Sequence, residues 1–483
     1  MSIPANPKSV GTIAFYQTCC MFLVLQLVVL SVALPTPVQA LSIAGSPAAL
    51  DLGALPQDRP PVPASYDLVA SVERALEANP RIKAYRFRVE GARAESNIAL
   101  SRMLPTISFS LSRSTIRNES ARGAIDSDFI DQTADMGSLQ FSQPLFAGMT
   151  LLNGYQRARL QQELAAAEKD RIEGQIILDV QMTYFDLLTA KGEVDALRSA
   201  VTNLETSVAA VRAYEQLRMA AYVDLLSAEA DLADVRQQLS KAENQVAVLT
   251  VRLNALLGLA PTSAVAYAGN FPAAPQDLPW TIDAGVARAM EQRLDLVIQR
   301  NVLAIAEKDA RIAAGQFLPR IDLQAAYNDL DKDFKEPAAG SRLDRDYETA
   351  YWSTSVSLKW NIFEGGRRHF NMNRADSEVL RAREELREAV DQVISQVHSF
   401  YLMSREARQR IDAAEQALSE AAEAKARAQV RFEARIGTVT ELLDAESRLI
   451  RAHSNRLQAR ADYHRAVAQL LYAVGERNPA LRF

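Results

Sequence analysis

The residue types most often used for catalysis form no recognisable arrangement in this sequence. No serine, histidine and aspartate follow the spacing of a nucleophilic motif. Gly365-Gly366 is not followed by Gly-Lys-Ser/Thr, so it does not form a nucleotide-binding loop. None of the histidines belongs to a His-Glu-x-x-His motif, and they stand apart at His369, His398, His453 and His464. We therefore predict no catalytic, cofactor-binding or metal-binding residue and no enzymatic activity.

The N-terminus is typical of an export signal. Lys8 is its only positive charge, residues 21–34 are mostly apolar, and Val38-Gln39-Ala40 supplies small residues for cleavage after Ala40. A membrane anchor is the alternative, but about 14 apolar residues fall short of the roughly 20 that a spanning helix needs. The only cysteines, Cys19 and Cys20, precede the apolar run, so the exported chain would have no thiol chemistry.

Composition indicates long packed helices and gives no support to a nucleic-acid partner. Ala, Leu, Arg, Glu and Gln dominate residues 155–258 and 375–475. The net charge of -5 provides no basic field for nucleic acid. Beyond the signal, no stretch of 18 apolar residues occurs, so any membrane-embedded part would have to be a closed β-barrel.

The sequence contains an internal duplication. Matching segments are shifted by 214 residues before the middle of each repeat and by 217 residues after it. The matches are RALE at 74–77 with RAME at 288–291, LPTI at 104–107 with LPRI at 318–321, and LSAE at 226–229 with LDAE at 443–446. The three-residue change falls where a loop would join two strands. One architectural unit is therefore used twice.

Each repeat has two segments with the two-residue period of a β-strand. Apolar side chains alternate there with hydroxyl, amide or charged ones. We predict strands at about 104–116, 136–146, 318–328 and 351–363. A soluble antiparallel sheet would also alternate, but Tyr351, Trp352 and Trp360 near strand ends favour transmembrane strands. Because four strands cannot close a barrel in lipid, we expect the chain to oligomerise.

The remaining segments have helical periodicity. Ile172, Ile176, Val180, Tyr184 and Leu188 recur every four residues. We predict helices at about 66–100, 149–258, 282–316 and 366–475. The predicted order is a signal at 1–40, an irregular lead at 41–65, a first repeat at 66–258, a linker at 259–281, a second repeat at 282–475 and a tail at 476–483.

These features together resemble the TolC-like outer-membrane efflux family over roughly residues 66–475. The segments that carry the resemblance are Leu-Pro entering a strand at 104 and 318, PLFAG at 144–148, IFEGG at 362–366, and RIGTVTELLDA at 435–445. The resemblance implies a mainly helical fold with a β-barrel part. Four strands from each of three copies would form a 12-stranded barrel, and a tube of helices would continue it through the periplasm.

The resemblance also implies function, partners and location. The expected function is a passive exit duct of a tripartite efflux or type I secretion system in the outer membrane of a Gram-negative-type bacterium. The expected partners are a periplasmic adaptor and an inner-membrane pump, with no cofactor. A periplasmic coiled-coil adaptor or scaffold is the alternative, although it would be expected to have one helical hairpin rather than two repeated units.

By resemblance, the segment around Gly437 is the helix-to-helix turn at the closed periplasmic tip. Glu441 and Asp444 share a helix face just after it, and three copies would form an acidic pore gate together with Asp224. Acids early in a helix also simply complement its dipole. Further predicted tip and adaptor-contact residues are Arg435, Ile436, Gly437, Thr438, Arg218 and Met219. The first repeat departs from the motif, with Ala220 in place of Gly437.

Overall fold

The fold is built from paired long helices and one four-stranded sheet. The computed structural model describes residues 65–118, 130–271, 280–335 and 347–477. The predicted cleavage residue Ala40 lies outside these ranges. The first repeat contains β1 Ser65–Tyr66, α1 Leu68–Ala78, α2 Pro80–Ser101, β2 Thr106–Asn118, β3 Ile130–Ala147, α3 Thr150–Gln216 and α4 Tyr222–Leu256. The second contains α5 Ile282–Gln292, α6 Leu294–Gly315, β5 Arg320–Lys335, β6 Tyr347–Lys359, α7 Arg367–Glu433 and α8 Val439–Ala473, and the short strand β4 Ala266–Tyr267 precedes it.

The duplication extends to the ends of the elements. Adding 214 to the bounds of α1 and α2 gives those of α5 and α6, and adding 217 to those of α3 and α4 gives those of α7 and α8. Strand register repeats as well. Thr106 pairs with Ser142 in the first hairpin, and the corresponding residues Arg320 and Lys359 pair in the second. The two repeats therefore have the same backbone plan.

The sheet is antiparallel with the strand order β2-β3-β5-β6. β3 and β5 join the two repeats, which leaves β2 and β6 as the edges. The two central strands, β3 and β5, are longer than the alternating pattern predicts, because backbone pairing continues through charged residues such as Asp331. The predicted strand 351–363 instead ends at Lys359. The apolar face is exposed, with Phe109 at 72% and Leu111 at 75%.

The long helices lie in antiparallel pairs. α3 and α7 have 67 residues each, which corresponds to about 100 Å at 1.5 Å per residue. The four-residue spacing from Ile172 to Leu188 gives the buried face of α3, so the periodicity identifies the packing side. None of the helices in the described ranges is both long and apolar enough to cross a membrane.

Each predicted long helical segment is in fact two helices. The segment 66–100 is divided at Asn79, whose side chain accepts a hydrogen bond from the Arg81 amide at 2.8 Å, and Pro80 occupies the first helical turn. Asparagine caps helices and proline tolerates their first position, so a new helix begins there. In the second repeat Arg293 occupies the same place. The segments 149–258 and 366–475 are divided after Gln216 and after Glu433.

A small buried cluster of tyrosines holds the start of the linker between the repeats against the helices. β1 and β4 pair in parallel, with Tyr66 opposite Tyr267. The Tyr267 hydroxyl donates to Asn254 Oδ1 at 2.5 Å, and the Tyr184 hydroxyl donates to the Ala268 carbonyl at 2.6 Å. The segment is therefore held against α3 and α4 by hydrogen bonds as well as by apolar packing. Linker residues 272–279 lie outside the described part.

Candidate functional site at the two helical turns

The predicted tip residues lie at two turns, which we call the first turn (217–221, between α3 and α4) and the second turn (434–438, between α7 and α8). Both have the hydrogen bonds of a Schellman motif. In the first, the Met219 amide donates to the Tyr214 carbonyl at 2.7 Å, and in the second, the Ile436 amide donates to the Arg431 carbonyl at 2.9 Å. The turns therefore end their helices in the same way.

Arginine occupies the left-handed position of each turn, where glycine is usual. Arg218 has φ of 57° and Arg435 has φ of 65°. This conformation costs a residue with a Cβ roughly 1–2 kcal/mol. Because the first turn has arginine at this position, and neither glycine nor proline marks it, it is difficult to recognise from the sequence.

Gly437 is closely packed, and its φ is not in the left-handed range that favours glycine. A Cβ built there would lie 3.0 Å from the Arg431 Cβ and 3.2 Å from the Phe432 amide nitrogen. Its amide also donates to the Arg431 carbonyl at 3.1 Å. Ala220 stands at the corresponding position, and the first turn still keeps the same Schellman bonds. The sequence difference therefore does not change the type of turn.

Side chains from the two repeats meet beside the turns. The rings of Tyr214 and Phe432 are 5.6 Å apart and edge-to-face, and the Arg435 guanidinium lies 5.8 Å from the centre of the Tyr214 ring. A cation over an aromatic face is attracted by the ring electrons. Of the predicted adaptor-contact residues, Arg435 is therefore engaged within its own chain, whereas Ile436 is exposed.

The predicted acidic residues have different surroundings. Glu441 and Asp444 are both exposed on α8. The Glu441 amide donates to the Thr438 hydroxyl at 3.1 Å, and its carboxylate lies 3.7 Å from Arg431. Asp224 is half-buried and accepts the Ala221 amide of its own helix start at 3.2 Å. Glu441 and Asp444 thus point to solvent, while Asp224 caps α4.

Two further acids on α4, Asp231 and Asp234, were not predicted, and the first of them interacts with Asp444. Burial raises the pKa of Asp231 on α4, and the nearby charges of Asp234 and Asp444 raise it further. The electrostatic coupling places negative charge from α4 and α8 on one side of the helical end. Asp231 and Asp234 are three residues apart, which is the signal that could have identified them as a shared helix face.

A buried ion pair lies farther along α8 from the second turn. Glu446 is 4% exposed, and its carboxylate accepts from Asn203 Nδ2 at 3.1 Å and lies 3.5 Å from Lys425 Nζ. These contacts connect α3 of the first repeat with α7 and α8 of the second. Glu446 continues the helical spacing of the buried residues Val439, Leu442 and Leu443, and this spacing is the signal that could have identified it as a buried acid.

A family model described as "Outer membrane efflux protein" matches residues 71–259 and 286–476. The chain belongs to this family. It is 23% identical over 414 residues to the outer membrane protein TolC of Vibrio cholerae, covering 85% of this chain and 90% of that protein. It is 26% identical over 415 residues to protein CyaE of Bordetella pertussis, covering 85% and 84%. The solved CmeC channel of Campylobacter jejuni has a TM-score of 0.76 at 17% identity, covering 92% and 93%.

Membership confirms the predicted family, function and location. The protein is an outer-membrane exit channel with a periplasmic part, and the periplasmic adaptor alternative is not favoured. The prediction of a mainly helical fold is confirmed as well. The family is one of channels rather than of enzymes.

Proposed function

We propose that three copies of the chain form one exit duct, with a 12-stranded barrel in the outer membrane and a tube of α-helices in the periplasm. The observation that carries the proposal is the four-stranded sheet with an exposed apolar face and two unpaired edges. In lipid, unpaired backbone groups cost several kcal/mol each. Three sheets joined edge to edge remove all the edges and give 3 × 4 strands.

The acidic residues at the helical end form the pore gate in this proposal. Glu441 and Asp444 are exposed there, and Asp224 lies in the first turn of α4. Asp231 and Asp234, farther along α4, add negative charge. Three symmetric copies concentrate this charge around the axis, which favours cations. Asp224 contributes mainly by fixing the start of α4, because its carboxylate is already bound to the Ala221 amide.

The turns form the surface for a periplasmic adaptor, which connects the duct to an inner-membrane pump that supplies energy. The first turn is more apolar than the second. Leu217 is 66% exposed and Met219 is 51% exposed, and the adjacent Tyr222 and Val223 are exposed too. Exposed apolar patches of this kind are typical of protein interfaces. Arg218 and Ile436 are exposed at the two turns as well.

Planar-bilayer recording of the purified oligomer tests the gate. Glu441→Ala combined with Asp444→Ala should raise single-channel conductance and lower cation selectivity, because the ring loses two carboxylates per copy. Glu415→Ala combined with Glu420→Ala removes the same charge from exposed positions on α7 away from the turns, and should change selectivity less. Unchanged conductance and selectivity in the first variant would exclude the gate. Absence of any conducting oligomer would refute the duct itself.

A further inference from the structure

The two faces of the four-stranded sheet differ in the side chains that they carry. The face opposite to the apolar one, which contains Phe109, is made mainly of hydroxyl and amide side chains, such as Ser108, Gln140 and Ser355. Successive residues of a strand point to opposite faces, so the strand register defines this polar face. In the proposed barrel the apolar face meets lipid, and the polar face therefore lines the lumen.

The charges on the polar face belong to the second repeat. Among the side chains of this face that the structure describes, the charged ones are Arg320, Asp322, Lys332 and Lys359. The corresponding residues of the first repeat are uncharged, and they are Thr106, Ser108, Asn118 and Ser142. Three basic residues and one acidic residue give this face a net charge of +2 in each copy.

The base of the sheet, where the strands meet the helices, brings two cations together. Arg320 lies directly opposite Lys359 in the pairing of β5 with β6. Like charges at opposite positions destabilise a sheet. In the first repeat Thr106 lies opposite Ser142, and the Thr106 hydroxyl donates to the Ser142 carbonyl at 3.4 Å. The strand pairing therefore forms without charge at these positions, which indicates that the charges of the second repeat have another role.

Asp322 neutralises Arg320 and leaves Lys359 unpaired. Arg320 Nε donates to the two carboxylate oxygens of Asp322 at 2.7 and 3.0 Å. Lys359 is exposed and has no ion-pair partner within the described ranges. Closing the barrel brings the other edge strand, β2, beside β6, and the polar face of β2 has no acid from Thr106 to Ile116. Closure therefore leaves the lysine charge facing the lumen.

We infer that Lys359 determines specificity in the duct, because three copies of it form a basic ring at the periplasmic end of the barrel lumen that favours solute anions. The inference rests on the proposed duct and adds a second charge filter, opposite in sign to the acidic tip at Glu441 and Asp444. Fixed cations on the wall raise the local concentration of anions. Solutes with a carboxylate or phosphate group gain most, because a lysine ammonium attracts these groups.

The range of the ring depends on salt. The Debye length is about 10 Å at 0.1 M ionic strength and about 3 Å at 1 M. The lumen of a 12-stranded barrel is wider than that of an eight-stranded barrel, whose interior side chains can fill. The field of the ring therefore reaches across the lumen at moderate salt and is confined to the wall at high salt.

Reversal potentials of the oligomer in planar bilayers test the ring. The starting protein carries Glu441→Ala and Asp444→Ala, so that the acidic tip does not dominate the selectivity. Adding Lys359→Gln should raise the ratio of K⁺ to Cl⁻ permeability about twofold in about 0.1 M KCl, and the effect should disappear in about 1 M KCl. Lys241→Gln removes the same charge from an exposed position on α4 and should leave the ratio unchanged.

Moving the lysine to the first repeat separates its charge from its local structure. Ser142 corresponds to Lys359, and their partners Thr106 and Arg320 correspond as well, so the two positions lie at the same level of the barrel. Ser142→Lys combined with Lys359→Gln should restore the permeability ratio of the starting protein. Asp322→Asn should lower this ratio, because it leaves Arg320 without its counter-ion.

The outcomes separate the ring from the duct. Recovery through Ser142→Lys supports the ring. A ratio that Lys359→Gln leaves unchanged in a conducting oligomer would overturn the ring and leave the duct intact. A change that persists in about 1 M salt and is not reversed by Ser142→Lys would also overturn it, because altered structure rather than charge would then be the cause. Absence of any conducting oligomer from the unaltered protein would contradict the duct as well.

Discussion

Replacing Glu446 with glutamine should loosen the helix bundle near the second turn. The carboxylate is 4% exposed and lies 3.5 Å from Lys425 Nζ, so the substitution leaves the ammonium without its counter-ion. Breaking a fully buried pair costs about 3–5 kcal/mol. The Lys425 side chain keeps 18% of its surface in water and can turn outward. We therefore expect a loss of about 1–3 kcal/mol in the free energy of local opening.

Hydrogen exchange measured by mass spectrometry on the detergent-solubilised oligomer detects this loss. A change of about 2 kcal/mol corresponds to roughly 30-fold faster exchange of α8 amides that open locally. Glu229 is the matched control, since it corresponds to Glu446 in the first repeat. It pairs with Arg212 at 2.5 Å, but both side chains are exposed, at 40% and 55%. Glu229→Gln should cost less than about 0.5 kcal/mol.

The comparison between the two glutamates decides whether burial of the ion pair matters. Lys425→Met combined with Glu446→Leu removes both charges and should recover most of the protection, because apolar residues of similar size often replace a buried pair without loss. Equal, small effects of Glu446→Gln and Glu229→Gln would refute the reasoning. So would a double variant that is less protected than Glu446→Gln alone.

Two further predictions concern stability measured by urea denaturation of the solubilised protein. Arg218→Gly should raise the free energy of unfolding by about 1 kcal/mol, because glycine adopts the left-handed conformation without a Cβ clash. Arg435→Gly should raise it less, because this variant also loses the contact of the guanidinium with the Tyr214 ring. Equal gains in the two variants would contradict this reasoning. Burial, with a smaller contribution from Arg460, lowers the pKa of His464 to about 4, below the ordinary value of 6.5. The unfolded chain therefore binds the proton more readily, and stability should fall by about 2 kcal/mol from pH 7 to pH 5. His464→Leu should reduce this fall, and an unchanged pH dependence would contradict the assignment.

Much of the fold could be predicted because both repeats carry the same pattern of helices and strands. The four-residue spacing through Ile176 and Tyr184 identified the buried side of α3, and the alternation through Phe109 identified β2. The constant shifts between repeats predicted equivalent elements, and these have equivalent bounds. Periodicity was sufficient here because each long element buries or exposes one continuous face.

Interruptions and tertiary contacts were harder to predict. The first turn depends on Arg218 in a left-handed conformation, and an arginine in the sequence does not predict that conformation. β6 ends at Lys359 although alternation continues to Ile362, because β5 begins at Arg320, opposite Lys359, and no other strand in the described ranges pairs with the residues that follow. The spacing of residues on α8 does not show that the partners of Glu446 are Asn203 and Lys425, which lie on helices of different repeats. Such features depend on neighbours distant in sequence.

The most direct test of the proposed duct is the state of the protein in isolated outer membranes. We expect a trimer that migrates as one species on an unheated detergent gel and separates into single chains on heating, because three sheets closed into a barrel resist detergent until heat opens them. Recovery of the protein as a soluble monomer in the periplasmic fraction would contradict the account.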